Sequence, residues 1–281
     1  MTTEIELAES MAERLAHIGG VVAVGLGGSR ARGDAGENAD IDLGIYYRRA
    51  HRPSVDELRR LAEELNESRP VTVTDFGEWG PWIDGGAWLG IAGRRVDWLY
   101  RDVDRVAAAI EESRAGRSRC HYQVGHPHGF HTHYYLAETF YCRPLQDPEG
   151  LLAELKSRTV PYPPALRRQL VEDFLFEADF ALETSKKSGA RGDVFHVAGN
   201  LFRAAAALVQ VVYALNERYV MNEKGALPSL ATLPRRPAGL VESLGRVLAR
   251  PGVQPHELGE SILRLEEAVA EVRRVSTDAL S

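Results

Sequence analysis

The stretch GLGGSRARGDAGENADIDLGIYY, Gly25 to Tyr47, decides the fold, because it crowds glycines, a serine and two alternating aspartates between two apolar runs. It begins inside VVAVGLG, which reads as a buried strand, and ends in DIDLGIYY, whose alternation reads as a second strand. A dinucleotide fingerprint is excluded. Its third glycine, needed where helix and strand pack closely, would fall at Arg30, and a strand carrying Asp40 and Asp42 follows where a crossover helix is required. A P-loop is excluded as well, since no Gly-Lys-Ser/Thr ends the loop.

Residues two apart on a strand share a face, so Asp40 and Asp42 present both carboxylates on one side while Ile41 and Leu43 turn to the core. RRVDWLY reads as a further strand that adds a third carboxylate, Asp97, with Val96 and Trp98 turned away. Three carboxylates on neighbouring strands suit hard Mg²⁺ ions, two of them about 3.5–4 Å apart in phosphoryl chemistry. Gly27, Gly28 and Ser29 offer backbone N–H groups and a hydroxyl to phosphate oxygens, with Arg30 and Arg32 as further phosphate contacts.

GGSRARG followed by ADIDLGI resembles the GS-x(10)-DxD signature of the DNA polymerase β-like nucleotidyltransferase superfamily, and Asp97 matches its later-strand carboxylate. Ala39 departs from the pattern, where serine often precedes the DxD. The resemblance covers residues 20 to 105. The helical remainder is similar to the substrate domain of aminoglycoside nucleotidyltransferases of the kanamycin and streptomycin type. It implies a small mixed sheet flanked by helices, Mg²⁺ held by Asp40, Asp42 and Asp97, an NTP donor with ATP leading, and transfer of a nucleoside monophosphate to a hydroxyl. It further implies Glu138 as general base, and Asn200, Arg203 and Lys224 as nucleotide contacts. The leading acceptor is an aminoglycoside-like antibiotic; nucleotidylation of a protein or tRNA, and a noncatalytic nucleotide-binding module, are the rivals.

The rest of the chain sets the frame. At 281 residues, 44% hydrophobic and 26% charged, it fits an ordinary globular protein of two domains. The expected organisation is an α/β (α+β) nucleotidyltransferase domain over 1–115, a connector contributing to the site over 116–147, and an all-helical domain over 148–281. Helices are expected over 4–18 and from Ser54 to Asn66, strands at VTVTDF and at the end of GEWGPWIDGGAWLG, and long helices from DVDRVAAAIEE onward. A net charge of −6 disfavours nucleic acid as a bulk partner. The N-terminus lacks the features of a signal peptide and no run reads as a membrane span, so a cytoplasmic location is expected. Cys120 and Cys142 show no CxxC spacing and read as reduced core thiols.

Three groups keep open readings. His121, His126, His128, His131 and His133 have spacings that zinc tolerates but lack a paired cysteine or an H-E-x-x-H frame, so a loop closing over the site is the favoured reading. Trp79, Trp82 and Trp88, set among glycines, either fill a core or stack on a sugar or base. Asp193, Asn200, Arg203, Gln210 and Asn216 interrupt an apolar helix as a solvated face or as ligand contacts.

Overall fold

The computed structural model describes residues 3–67 and 70–280. The chain divides into two compact units. The first holds the chain up to Glu112 together with Arg119–Gly125 and Gly129–Pro161; the second holds Ser113–Ser118, His126–His128 and the chain from Tyr162 onward.

The first unit opens with helix α1 (Glu4–Ala16), started by a reciprocal cap: Thr3 Oγ1 accepts from the Glu6 N–H at 3.2 Å and Glu6 Oε2 accepts from the Thr3 N–H at 2.7 Å. There follow β1 (Val21–Leu26), the short helix α2 (Gly28–Arg32), β2 (Ile41–Tyr47), α3 (Val55–Leu65, capped by Ser54), β3 (Thr72–Val73), β4 (Gly86–Ile91), β5 (Arg94–Asp102) and α4 (Val103–Arg114). A two-stranded ribbon of β6 (Cys120–His121) and β7 (Phe130–His131) comes next, then α5 (Tyr134–Tyr141), β8 (Arg143–Gln146) and α6 (Leu151–Ser157). Six strands form one mixed sheet in the order β3-β4-β5-β2-β1-β8, antiparallel throughout except for the parallel pair β2 and β5.

Alternation sorts the two faces of this sheet. Val24, Leu26, Ile41, Leu43, Ile45, Val96, Trp98 and Tyr100 point into one core, where Met11 and Leu15 of α1 and Leu58 and Ala62 of α3 cover them. The opposite face carries Asp42, Gly44 and Tyr46 on β2 and Asp97, Leu99 and Arg101 on β5. Helices α5 and α6 close on part of this second face: a side chain at Gly25 would collide with Cys142 Sγ and Leu152, so glycine there permits the close packing.

The second unit is helical: α7 (Pro164–Gly189), α8 (Val194–Leu215), α9 (Ala226–Leu230), α10 (Leu240–Ala249) and α11 (Pro255–Leu280). Helix α8 corrects one expectation. With a mean hydropathy of 1.4 over an 18-residue window it is long and apolar enough to cross a membrane, yet 61% of that window is buried, as in the core helix of a bundle. Val197, Leu201, Ala204, Leu208, Val211 and Leu215 supply that buried face.

The cysteines also divide. Cys142 is buried and its thiol is pushed up to about 11 by desolvation, whereas Cys120 is exposed on the ribbon strand β6 and is not a core residue.

Candidate functional site

The glycine-rich loop and the aspartates meet at the edge of the open sheet face. Gly27 caps α2 with its N–H donating to the Asp42 carbonyl at 2.8 Å, which ties the end of β1 to the start of β2. Gly28 has φ +63°, and a Cβ built on it would lie 1.8 Å from Asp42 Oδ2. The Asp42 carboxylate therefore occupies the space a side chain at residue 28 would need, and only glycine fits both the backbone and the approach.

Asp42 and Asp97 are direct neighbours in the parallel pairing of β2 and β5, so their side chains stand together on the same face. Asp40 lies just before β2 and is drawn elsewhere: Arg95 Nε sits 2.6 Å from its Oδ1. That oxygen is buried and makes no hydrogen bond, because the arginine approaches as a charge without an aligned N–H. The R-x-D alternation sets Arg95, two residues before Asp97 on β5, on the same face, and the fold adds the pairing with Asp40.

The paired oxygen donors of Asp42 and Asp97 and the cradle that Gly28 leaves for Asp42 fit a hard divalent cation. The arrangement differs from a symmetric three-carboxylate nest, since Asp40 is ion-paired with Arg95. Among the described residues no group of three or more His, Cys, Asp or Glu side chains converges as a metal site.

The two loop arginines are engaged in structure. Arg30 donates from Nε to the Asp40 carbonyl at 3.1 Å and from Nη2 to the Ala39 carbonyl at 2.6 Å, fixing the backbone that presents the aspartates. Arg32 pairs with Asp34 at 2.6 Å. Ser29 lies within the first turn of α2.

Glu138, on α5, faces Arg101. The guanidinium grips it with two bonds, Nε to Oε2 at 2.9 Å and Nη2 to Oε1 at 3.1 Å, and Arg101 is only 4% exposed. Burial alone would lower the arginine's pKa; the facing carboxylate overcomes it and the net shift is upward. Arg101 lies four residues beyond Asp97 on the same face of β5, which at strand rise is about 13 Å along the sheet. Both carboxylate oxygens of Glu138 are thus taken by an anchor, a poor arrangement for a general base.

The other expected contacts lie in the helical unit. On α8, Asn200 Nδ2 donates to the His196 carbonyl at 3.1 Å, and Arg203 Nε pairs with Glu177 Oε1 at 2.6 Å. Lys224 is exposed in the loop after α8, with its N–H donating to Asn222 Oδ1 at 2.9 Å.

The five histidines are separated by the fold. His128 Nε2 lies 3.1 Å from Glu177 Oε1 and His126 Nδ1 lies 3.7 Å from Glu223 Oε2, both within the helical unit. His121 stacks on Trp82 at 4.3 Å, and His131 packs beside His133 at 5.5 Å, in the first unit. Burial and the neighbouring Arg119 hold the His121 pKa below its ordinary value. Trp82 is built into this aromatic packing, while Trp79 and Trp88 stack on each other at 4.5 Å.

Comparison with known proteins recognises two regions of the chain. Residues 6–78 match the family model described as a nucleotidyltransferase domain, and residues 131–224 match DUF4037, a domain of unknown function. No curated protein shows significant similarity to the chain. Among solved structures, a nucleotidyltransferase-like protein from Exiguobacterium sibiricum 255-15 is similar over 98% of this chain and 78% of its own, with a TM-score of 0.47 and 11% identity.

Proposed function

We propose that the chain transfers a nucleoside monophosphate from an NTP, with ATP as the leading donor, to a hydroxyl of a small molecule. The observation that supports this best is the row Gly27–Gly28, Asp42 and Asp97, in which a glycine loop with a carboxylate seated in it abuts a second carboxylate in strict register. The nucleotidyltransferase-domain match over residues 6–78 covers the loop and Asp42.

In this reading Gly28 and Ser29 receive the phosphates, and Gly27, whose N–H is taken by the Asp42 carbonyl, shapes the loop instead of binding them. Asp42 and Asp97 would hold divalent magnesium, while Asp40 stays paired with Arg95 beside them. The bound cation supplies neutralisation of phosphate charge and a more acidic acceptor hydroxyl. The hydroxyl oxygen forms the new bond to the α-phosphorus, pyrophosphate leaves with the electrons of the broken P–O bond, and the hydroxyl proton passes to water. Arg30 acts on this site through the backbone it fixes, and Arg101 with Glu138 braces the far end of the same face. Asn200, Arg203 and Lys224 are proposed nucleotide contacts of the helical unit, and an aminoglycoside-like antibiotic is the first acceptor to test.

The test incubates the whole protein with each α-labelled NTP, Mg²⁺ or EDTA, and a panel of aminoglycosides, other small alcohols, tRNA and polypeptides. Label on a small molecule with stoichiometric pyrophosphate, abolished by EDTA and by Asp42→Asn, is the expected result. Label confined to tRNA or polypeptide overturns the acceptor class. Absence of Mg²⁺-dependent NTP binding overturns the chemistry.

A further inference from the structure

The row of the open face does not stop at Asp97. Across the antiparallel pairing of β4 and β5, Asp97 is opposite Trp88, so Asp42, Asp97 and Trp88 lie side by side on three consecutive strands, with Gly27, just past the end of β1, bonded to Asp42 at the head of the row. At about 4.8 Å per strand, Trp88 stands roughly 5 Å from the Asp97 position and roughly 14 Å from the glycine loop. Its flanking residues Ala87 and Leu89 are buried in the core, yet Trp88 itself is 55% exposed. Its indole therefore offers an open ring face directly beside the Asp97 position.

The ring is also held ready. Trp88 stacks on Trp79 at 4.5 Å and an interplanar angle of 22°. Trp79 lies over Gly86, where a Cβ would come within 3.1 Å of its ring, and its own backbone is fixed by a bond from its N–H to the Asp84 carbonyl at 3.3 Å and by Gln123 Nε2 donating to its carbonyl. Thr72, opposite Trp88 on β3, is short and exposed, so that side of the indole is not walled off. Arg95, the neighbouring cation on the face, is turned to Asp40.

We infer that Trp88, backed by Trp79, is the stacking platform for the acceptor, and that the acceptor carries its reacting hydroxyl on a six-membered ring or one bond away from it. The inference rests on the nucleotidyl-transfer reading above and narrows its substrate. The glycine loop takes the donor's phosphates at one end of the row, so the platform at the other end, next to Asp97, serves the group that attacks. One strand spacing between indole and carboxylate leaves no room for a long arm between ring and hydroxyl. A pyranose or an aromatic ring meets this geometry; an open-chain alcohol does not.

The experiment measures pyrophosphate release with saturating Mg²⁺ and ATP, using kanamycin and methyl α-D-glucopyranoside as pyranose acceptors, 4-hydroxybenzyl alcohol as an aromatic acceptor and glycerol as a ringless one. Tryptophan fluorescence follows binding of each compound directly. Trp88→Ala is expected to raise the KM for the ring acceptor roughly ten-fold and abolish its quenching. The KM for ATP should stay within about two-fold, and Trp88→Phe should restore most of the affinity. The pyranose and aromatic arms tell which ring is taken. An increase in the KM for ATP instead assigns the platform to the nucleobase and overturns the inference. So does an unchanged acceptor KM in Trp88→Ala, quenching by no ring compound, or turnover of glycerol as efficient as that of a ring acceptor; in the last case nucleotidyl transfer itself stands. Loss of Mg²⁺-dependent ATP binding in the wild type would instead remove the reading on which the platform depends.

Discussion

Gly28 and Asp42 illustrate how much a single position constrains. The backbone at Gly28 is left-handed and the space beside its Cα is filled by a carboxylate, whereas Gly33, at φ +85°, faces open space. Gly28→Ala should therefore lose both conformational energy, about 1–2 kcal/mol, and the seat of Asp42, weakening Mg²⁺-dependent ATP binding at least ten-fold in a calorimetric titration. Gly33→Ala should lose only the conformational part and bind ATP as the wild type does. Equal binding by the two variants would remove Gly28 from the site. The carboxylates divide in the same way. Asp42→Asn should lose nucleotide affinity and turnover together, while Asp97→Asn, at the acceptor side, should keep affinity within a few-fold and lose turnover. These residues were legible in the sequence because a glycine run and an alternating DxD have few other uses in combination. The pairing of Asp40 with Arg95 was not, because strand alternation fixes a face but not which neighbour a side chain turns to.

At the level of elements, strong periodicity is legible in the sequence and short or edge elements are not. The cap residue Ser54 and the apolar stripe of Leu58, Leu61 and Ala62 announce α3, and the structure keeps both. VTVTDF yields only Thr72–Val73 as strand, and RPLQ, with a proline and no alternation of its own, becomes edge strand β8 because β1 offers it a free row of bonds. Such elements are made by their neighbours. The same holds for Glu138, whose duty is set by a buried arginine from another strand. Glu138→Gln should strip Arg101 of its counter-charge and lower unfolding free energy by about 3 kcal/mol, seen in denaturant titration; a full loss of turnover at unchanged stability would instead restore it as a base. Glu177 gives a pH-dependent counterpart. Burial raises its pKa, but His128 and Arg203 more than reverse this, so the folded value lies below the ordinary one. A carboxylate lowered on folding stabilises the protein above its unfolded pKa of about 4.3 and loses that contribution as pH falls through the folded value. Glu177→Gln should accordingly destabilise the protein at pH 7 and flatten this part of the stability decline below pH 5, as measured by urea unfolding at a series of pH values.

For the whole molecule, the two compact units mark the boundary between what patterns can and cannot say. The glycine loop, β2 and Asp97 all belong to the first unit, which accounts for the clarity of its chemistry in the sequence. The helical unit exposes few such signals: Asn200, Arg203 and Lys224 are polar positions on or after an apolar helix, and solvated faces look the same. The histidine-bearing connector reads as one segment in sequence, yet His126–His128 belong to the helical unit while the flanking ribbon belongs to the sheet unit. Ligand linkage tests the site against the intact chain. If Asp42 and Asp97 need a cation between them and a triphosphate, ATP with Mg²⁺ should stabilise the folded protein by about 2.7 kcal/mol at a concentration of roughly 100 Kd. ATP with EDTA should give almost nothing, because the carboxylates repel the bare triphosphate. Differential scanning fluorimetry of the wild type and Asp42→Asn, each with Mg²⁺·ATP, Mg²⁺ alone and ATP with EDTA, reads this as a melting shift confined to the first combination and absent in the variant. Equal stabilisation by ATP in EDTA would mean that the nucleotide binds without the carboxylates, and the row from Gly27 to Asp97 would then be only a solvated edge of the sheet.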